Sequence, residues 1–335
     1  MSYLINKGET MCKVSIIIPA YNIENYIERC LKSCINQTFD DIEIIVINDG
    51  STDKTLEKIN HFAEKDSRII VINKENEGPI EARKLGFHKS KGEYILFVDG
   101  DDYIHLDCIN RLYNKAKEKE YDIVSYKWIS IGLDGTERKS FKDTKIGEES
   151  FLELLFEYKI GVSLWSKLIK KDFILINNIE FPQNTYYGED LAFDYALAVN
   201  NPKFIILDEY LYYYCRRESS LDMGVNEKTV DILQSVIFIK EQLKTHDLYD
   251  KYKEKFNYMA FRQMYYDRKH YIFNNNDKIS KQLFYNWKKL NIVINSKNNS
   301  LYRDLYKNDS KKALIVEGMC KKSYLFGKLY YSKRS

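Results

Sequence analysis

Ile95-Leu96-Phe97-Val98-Asp99-Gly100-Asp101-Asp102 joins an unbroken apolar run to three carboxylates set around one glycine. Four consecutive apolar side chains cannot alternate between core and solvent, so Ile95 to Val98 suits a strand covered on both faces, the centre of a parallel sheet. Asp99, Asp101 and Asp102 then leave the strand at its C-terminal end, where open α/β sheets place their ligands. Neighbouring carboxylates repel one another unless a cation compensates them, and acids two residues apart can clasp a hard ion such as Mg²⁺ or Mn²⁺. Taken alone, the stretch reads equally as a solvated acidic turn, because Asp and Gly are common turn residues.

The same pattern recurs upstream. Val14-Ser15-Ile16-Ile17-Ile18 reads as a buried strand stopped by Pro19, with Ala20-Tyr21-Asn22 on its exit loop. Helical spacing follows from Glu24, with Tyr26, Ile27, Cys30, Leu31 and Cys34 on one side. Ile42 to Ile47 runs into Asn48-Asp49-Gly50-Ser51-Thr52-Asp53, which sets an acid at the strand end and candidate N-caps before a helix near Lys54. Ile69 to Ile72 makes a third strand, Asn76-Glu77-Gly78 turns into a helix carrying Ala82, Arg83 and Gly86, and Tyr94 to Val98 makes the fourth. This alternation predicts an α/β fold with a Rossmann-like, mostly parallel sheet flanked by helices, all polar exits falling on one edge. A nucleotide with its phosphates fits such an edge: Tyr21 to stack, Asp49 to accept a base imide proton, Arg83 to reach phosphate. Each residue also has a plain structural reading, as loop packing, as a turn or cap residue, and as part of a solvated helix face.

Composition narrows the classes. The 335 residues hold one large domain or two smaller ones, and 4 prolines and 14 glycines argue against linkers and low-complexity segments. A formal charge of +3 is no nucleic-acid polycation, so no nucleic-acid partner is expected. Met1 to Lys13 lacks the apolar core of a signal peptide and no run approaches the roughly 18 apolar residues of a membrane span, which points to the cytoplasm. The six cysteines lack a CxxC pair; Cys30 and Cys34 lie one helical turn apart, two ligands of an incomplete zinc site, and read as structural thiols.

Val14 to Asn22, Asn48 to Asp53, Asn76-Glu77-Gly78 through Ala82-Arg83, and Asp99-Gly100-Asp101-Asp102 together resemble the family 2 glycosyltransferases of the GT-A fold, in order and in spacing. The resemblance implies a nucleotide-sugar donor, usually UDP-linked, bound through Mn²⁺ or Mg²⁺. Pro19, Tyr21 and Asp49 would meet the nucleoside, and Ala20, Asn22, Gly78 and Gly100 are among the donor-binding positions. Arg83 would approach the diphosphate, Asp101 would ligate the metal, and Asp99 would contact ribose or the metal shell. Asp102 would orient its neighbours or the sugar. Lys84 departs from the pattern, which leads one to expect Asn after the arginine.

Further on, Tyr121 to Ile129 reads as a strand, Gly132-Leu133-Asp134-Gly135 as a turn and Phe151 to Phe156 as a short amphipathic helix. Trp165 reads as core or as the floor of an acceptor-sugar site. In Gly188-Glu189-Asp190, the apolar spacing of Leu191, Tyr195, Ala198 and Val199 puts both acids in the first turn of a helix, where the backbone dipole favours them. The resemblance adds a role, since such an acid commonly serves as catalytic base: Asp190, with Glu189 as the substitute or as an acceptor contact. A base there takes the proton of the acceptor hydroxyl as it attacks opposite the nucleotide, inverting configuration. Phe204 to Leu207 and Tyr210 to Tyr214 read as two late strands. In similar enzymes the loop that follows closes over the donor phosphates, which makes Arg216, Arg217 and Ser219 candidate contacts, with a solvated basic turn as the alternative.

From about Asn226 the spacing becomes helical, over Val230 to Leu243, Tyr249 to Phe273 and Ile279 to Leu290. The expected division is a catalytic domain over 1–225, nucleotide-sugar half 12–110 and acceptor half 111–225, then a helical region over 226–335. In the tail, Lys311-Lys312, Lys321-Lys322, Lys328 and Lys333-Arg334 alternate with Leu325-Phe326, Leu329 and Tyr330-Tyr331. That pattern suits either an anionic lipid surface or a helix docked on the rest of the chain. The expectation is therefore a metal-dependent, inverting glycosyltransferase acting on a glycan or lipid-linked oligosaccharide acceptor in surface-polysaccharide synthesis, cytoplasmic or peripheral on the inner face of the plasma membrane. A nucleotidyltransferase, and a nucleotide-sugar-binding or scaffold protein without turnover, are the alternatives.

Overall fold

The computed structural model describes residues 12–140, 147–183, 185–217, 225–275 and 277–331. Ser219, Lys333, Arg334 and the side chain of Lys312 lie outside that description. In chain order the elements are β1 (Val14–Ala20), α1 (Ile27–Ile35), β2 (Ile42–Asp49), α2 (Thr55–Ala63), β3 (Ile69–Lys74), α3 (Pro79–Lys89) and β4 (Tyr94–Phe97). Then come β5 (Tyr103–Ile104), α4 (Cys108–Glu118), β6 (Ile123–Ile131), β7 (Glu137–Lys139), α5 (Phe151–Phe156), β8 (Lys167–Lys170), α6 (Lys171–Ile176), α7 (Glu189–Val199) and β9 (Phe204–Cys215). The remainder is helical: α8 (Ile232–Thr245), α9 (Tyr249–Met264), α10 (Lys269–Asn274), α11 (Lys278–Lys289), α12 (Ser300–Leu305), α13 (Lys311–Lys322) and α14 (Tyr324–Tyr331).

These elements form two compact units. The first takes Met1–Phe151, Ile160–Phe181 and Asn201–Glu218; the second takes Leu152–Lys159, Pro182–Asn200 and Ser219–Ser335. The single cut expected near residue 225 is thus replaced by an interleaving, because α7 sides with the C-terminal helices. Every residue from Leu191 to Val199 is buried, and a helix that is buried all round needs neighbours on every side. Tyr195 packs its ring on Phe156 at 4.9 Å, and the turn before α7 abuts Ile232 and Ser235 of α8.

In the first unit, one sheet runs in the order β3-β2-β1-β4-β8-β6-β9-β5, with β7 beside β6. The half read from the N-terminal motifs is parallel as expected: β1 pairs with β2 and β4, and β2 with β3, Ile16 lying level with Ile44 and Leu96. All eight residues of β2 are buried, and each Ile or Val so covered contributes about 1.5–3 kcal/mol. Beyond β4 the sheet becomes mixed, since β8 runs antiparallel to both β4 and β6 while β9 runs parallel to β6. The two late strands expected from the sequence are one, β9. Its register against β6 slips between Tyr126 and Trp128, so that Leu207 faces Tyr126 and Tyr210 faces Lys127. A bulge absorbs the polar Asp208 and Glu209 without ending the strand.

The second unit is a helical assembly around Phe261, Tyr265, Phe273 and Trp287, all buried. Asp277 caps α11 by accepting from the Ser280 amide at 2.7 Å, and Asn299 caps α12 by accepting from that of Tyr302 at 2.8 Å. The helical run from Tyr249 to Phe273 breaks at Tyr265, whose φ of −133° ends α9 before a single 3₁₀ turn leads into α10. No helix among the described residues is long and apolar enough to cross a membrane.

Candidate active site at the exit of the central strands

The three acids after β4 point to three different partners. Asp99 Oδ1 pairs with Arg83 Nη2 at 2.6 Å, and Asp101 Oδ2 with Arg217 Nε at 2.6 Å. Arg29 donates to the backbone oxygen of Asp101 at 2.7 Å. Asp102 turns inward and is fully buried, accepting from the Tyr212 hydroxyl at 2.8 Å and from the Cys215 amide at 2.7 Å. Burial, then the Asp99 charge, push the Asp101 carboxyl up from its ordinary value, with Arg217 pulling the other way. Burial and the charges of Asp101 and Asp99 raise Asp102 well above its own. Glycine between Asp99 and Asp101 suits close packing, because a Cβ on Gly100 would sit 2.4 Å from Ile23 Cδ1, which would have to shift, and 3.1 Å from the Pro19 oxygen.

The exits of β1 and β2 are tied to one another. Asn22 accepts from the Thr52 amide at 2.8 Å while its own amide donates to Ser51 Oγ at 3.1 Å. Tyr21 stands 48% exposed beside this knot, free of the core and able to offer a ring face, whereas Ala20 is buried and Pro19 half-buried. Asp49 is only 2% exposed. Its carboxylate accepts from Lys74 Nζ at 2.8 Å, the Glu77 amide at 3.0 Å and the Gly78 amide at 2.9 Å, so it holds the turn into α3. Three donors against about four lone-pair sites leave one acceptor direction. Lys84 pairs with Glu81 at 3.6 Å along α3.

β9 decides where the acidic loop lies. Tyr212 donates to Asp102 and accepts from the Asp99 amide at 3.1 Å, so a single hydroxyl bridges both ends of the motif. Burial and the nearby acids push that phenol well above its ordinary value, which keeps it a donor. Trp165 stacks on Tyr212 at 4.4 Å and on Tyr214 at 5.7 Å, and meets Trp128 edge-on at 5.1 Å. At 7% exposure Trp165 is core. Tyr212→Phe is expected to leave Asp102 and the Asp99 amide short of a partner and to cost about 1–3 kcal/mol. Urea unfolding of the two forms checks this; an unchanged midpoint would show the bridge to be idle.

Sequence reasoning passed over Lys167, which is fully buried. Its ammonium donates to the oxygens of Gly161 at 3.0 Å and Ser163 at 2.8 Å and to Ser166 Oγ at 3.1 Å, fastening the loop that carries Trp165. Lys167 opens β8, whose sequence Lys167-Leu168-Ile169-Lys170 gives no sign that the first lysine is buried and the last is not. Of the basic pair after β9, Arg217 reaches the acids. Arg216 is exposed, its amide continuing the ladder to the Ile131 oxygen at 2.9 Å.

Glu189 and Asp190 belong to the second unit and open α7, both half-buried. Gly188 precedes them with φ +77°, and a Cβ there would also lie 2.7 Å from Ile232 Cδ1, so glycine alone suits the turn that presents the acids.

Among the described residues no group of three or more His, Cys, Asp or Glu side chains converges as a metal site. Asp99 and Asp101 nevertheless fit a hard divalent cation in donor type. Asp101 is a carboxylate whose charge is costly where it sits, and such ions are commonly held by one or two carboxylates plus substrate phosphates.

The model of "Glycosyl transferase family 2" matches residues 15–172. Glycosyltransferase GlyA of Streptococcus pneumoniae is 34% identical over 232 residues, which span 66% of this chain and 33% of that one. The chain therefore spans about a third of that relative's length. Cholesterol galactosyltransferase of Borreliella burgdorferi is 31% identical over 274 residues, 76% of each chain. In structure, S. aureus TarS 1-349, solved in complex with UDP-GlcNAc, superimposes with a TM-score of 0.67 over 82% of this chain and 79% of that one, at 23% identity. That likeness is one of fold.

Proposed function

Since the chain belongs to glycosyl transferase family 2, we propose that it transfers a sugar from a nucleotide-sugar, UDP-linked, to a glycan or lipid-linked oligosaccharide hydroxyl with inversion. The observation that carries this reading is the pairing of two carboxylates with two guanidiniums at one strand exit, Asp99 with Arg83 and Asp101 with Arg217. Such alternating charge suits a diphosphate and its counter-ion, since the arginines can donate to phosphate oxygens once a cation takes over the acids. TarS, which shares the fold, has been solved with UDP-GlcNAc, which supports a UDP-linked donor.

Each residue then has a task. Tyr21 offers its exposed ring to the base, and the remaining acceptor direction of Asp49 takes the imide proton. Arg83 and Arg217 hold the diphosphate. Asp101, with Asp99, would hold Mn²⁺ or Mg²⁺, which when bound neutralises charge growing on the leaving diphosphate. Asp190 accepts the proton of the attacking hydroxyl, and Glu189 contacts the acceptor.

The purified chain incubated with a panel of nucleotide-sugars and Mn²⁺, with and without EDTA, is expected to release UDP slowly from one donor, and only while metal is present. Donor binding without turnover, even with crude acceptor lipid added, would make the chain a binding protein. Silence on every donor would remove the nucleotide assignment.

A further inference from the structure

A groove of about 670 Å³ opens on the second unit, lined by Lys281, Tyr285 and Lys288 of α11, Lys322 of α13, and Leu325 and Lys328 of α14. We propose that this groove seats the chain on a bilayer containing anionic phospholipid, the four ammonium groups receiving headgroup phosphates. Bilayer docking is independent of the transfer reaction: a chain that bound no nucleotide would still dock.

The groove is built rather than incidental. Tyr324 fixes α14 to α11 from below, its hydroxyl 3.1 Å from Ser280 Oγ and its ring 5.6 Å from that of Phe284. Phe273 stacks on Tyr331 at 5.3 Å and holds the far end of α14. Among the described residues none of the four lysines forms an ion pair. α11 and α14 contain no acid at all, and the single acid of α13, Glu317, is 7% exposed. One sign of charge therefore faces outward, complementary to an anionic surface.

Apolar side chains extend the same helices toward solvent. Leu325 is 72% exposed, Leu329 65%, Ile315 65% and Tyr285 57%. A cationic groove beside protruding leucines is the composition of a helix pair that lies in a headgroup layer, the lysines on phosphate and the leucines below it. The basic residues of the tail do not all share this face. Lys321 turns inward, donating to the Ile294 oxygen at 3.0 Å and the Tyr302 hydroxyl at 2.8 Å, while Lys281 and Lys288 come from a helix well upstream.

The test is co-sedimentation of the full chain with vesicles of phosphatidylcholine alone or mixed equally with phosphatidylglycerol. Binding is expected to the mixed vesicles only, and to weaken as salt rises. Lys322→Gln with Lys328→Gln should lower partitioning about tenfold or more. Leu325→Gln with Leu329→Gln should weaken it while keeping the preference for the anionic lipid. Circular dichroism of each variant confirms that the helices persist. Equal binding to both vesicles, or unchanged partitioning of both double variants, overturns the proposal. So does full displacement by millimolar inorganic phosphate, which would mark a site for a soluble anion. A free chain that sediments as a dimer, and as a monomer once Leu325 and Leu329 are Gln, would assign the face to a second copy and overturn it too.

Discussion

Asp190→Asn is expected to bind the donor almost as the native chain does and to turn over about 10²- to 10⁴-fold more slowly. Asparagine keeps the shape of the side chain and its place in the first turn of α7, so the helix has little reason to change. What it loses is the lone pair that takes a proton at neutral pH. If the acid served only the helix dipole, the cost would be about 0.3–1 kcal/mol of stability and nothing in turnover. UDP release and UDP binding measured on the same preparation separate the two. Near-native turnover removes Asp190 from the reaction and leaves Glu189 as the acid to substitute next.

Asp101→Asn should produce a loss of the same order by a different route. Without that carboxylate the site is left with Asp99, and the several kcal/mol that a bound cation supplies to a leaving phosphate would be forfeited, roughly a thousandfold in rate. Mn²⁺ binding followed by electron paramagnetic resonance should weaken in parallel, and the residual UDP release should no longer respond to EDTA. The neighbouring acid predicts the opposite pattern. Asp102 faces Tyr212 and Cys215 inside the unit, so Asp102→Ala should lower the unfolding midpoint by leaving a buried phenol and amide unpaired. An Asp101→Asn variant with native, EDTA-sensitive turnover would place the metal elsewhere.

The contrast between Asp101 and Asp102 shows what a sequence carries. Both are Asp in the same turn, and nothing in the spelling Asp99-Gly100-Asp101-Asp102 distinguishes the outward carboxylate from the inward one. The distinction comes from Tyr212, more than a hundred residues away, whose hydroxyl occupies the space that Asp102 enters. Arg216 and Arg217 pose the same problem. Adjacent residues at the end of a strand point to opposite faces, and the slip in β9 register at Lys127 lies upstream of both. Lys167 was invisible for a related reason, since its three acceptors come from a loop whose course no periodicity describes.

By itself the sequence determined the parallel half of the sheet, β1 to β4 with their helices, and the edge on which their polar exits gather. Each of those strands contains an uninterrupted apolar run of three or more residues, and each exit follows its strand directly, so local pattern is enough. Tertiary structure alone decided which acids face which arginines, that Trp165 is core, that α7 joins the C-terminal helices, and that lysines from α11, α13 and α14 share one groove. All of these depend on partners far apart in the chain, brought together by burial of side chains that carry no mark of where they will pack.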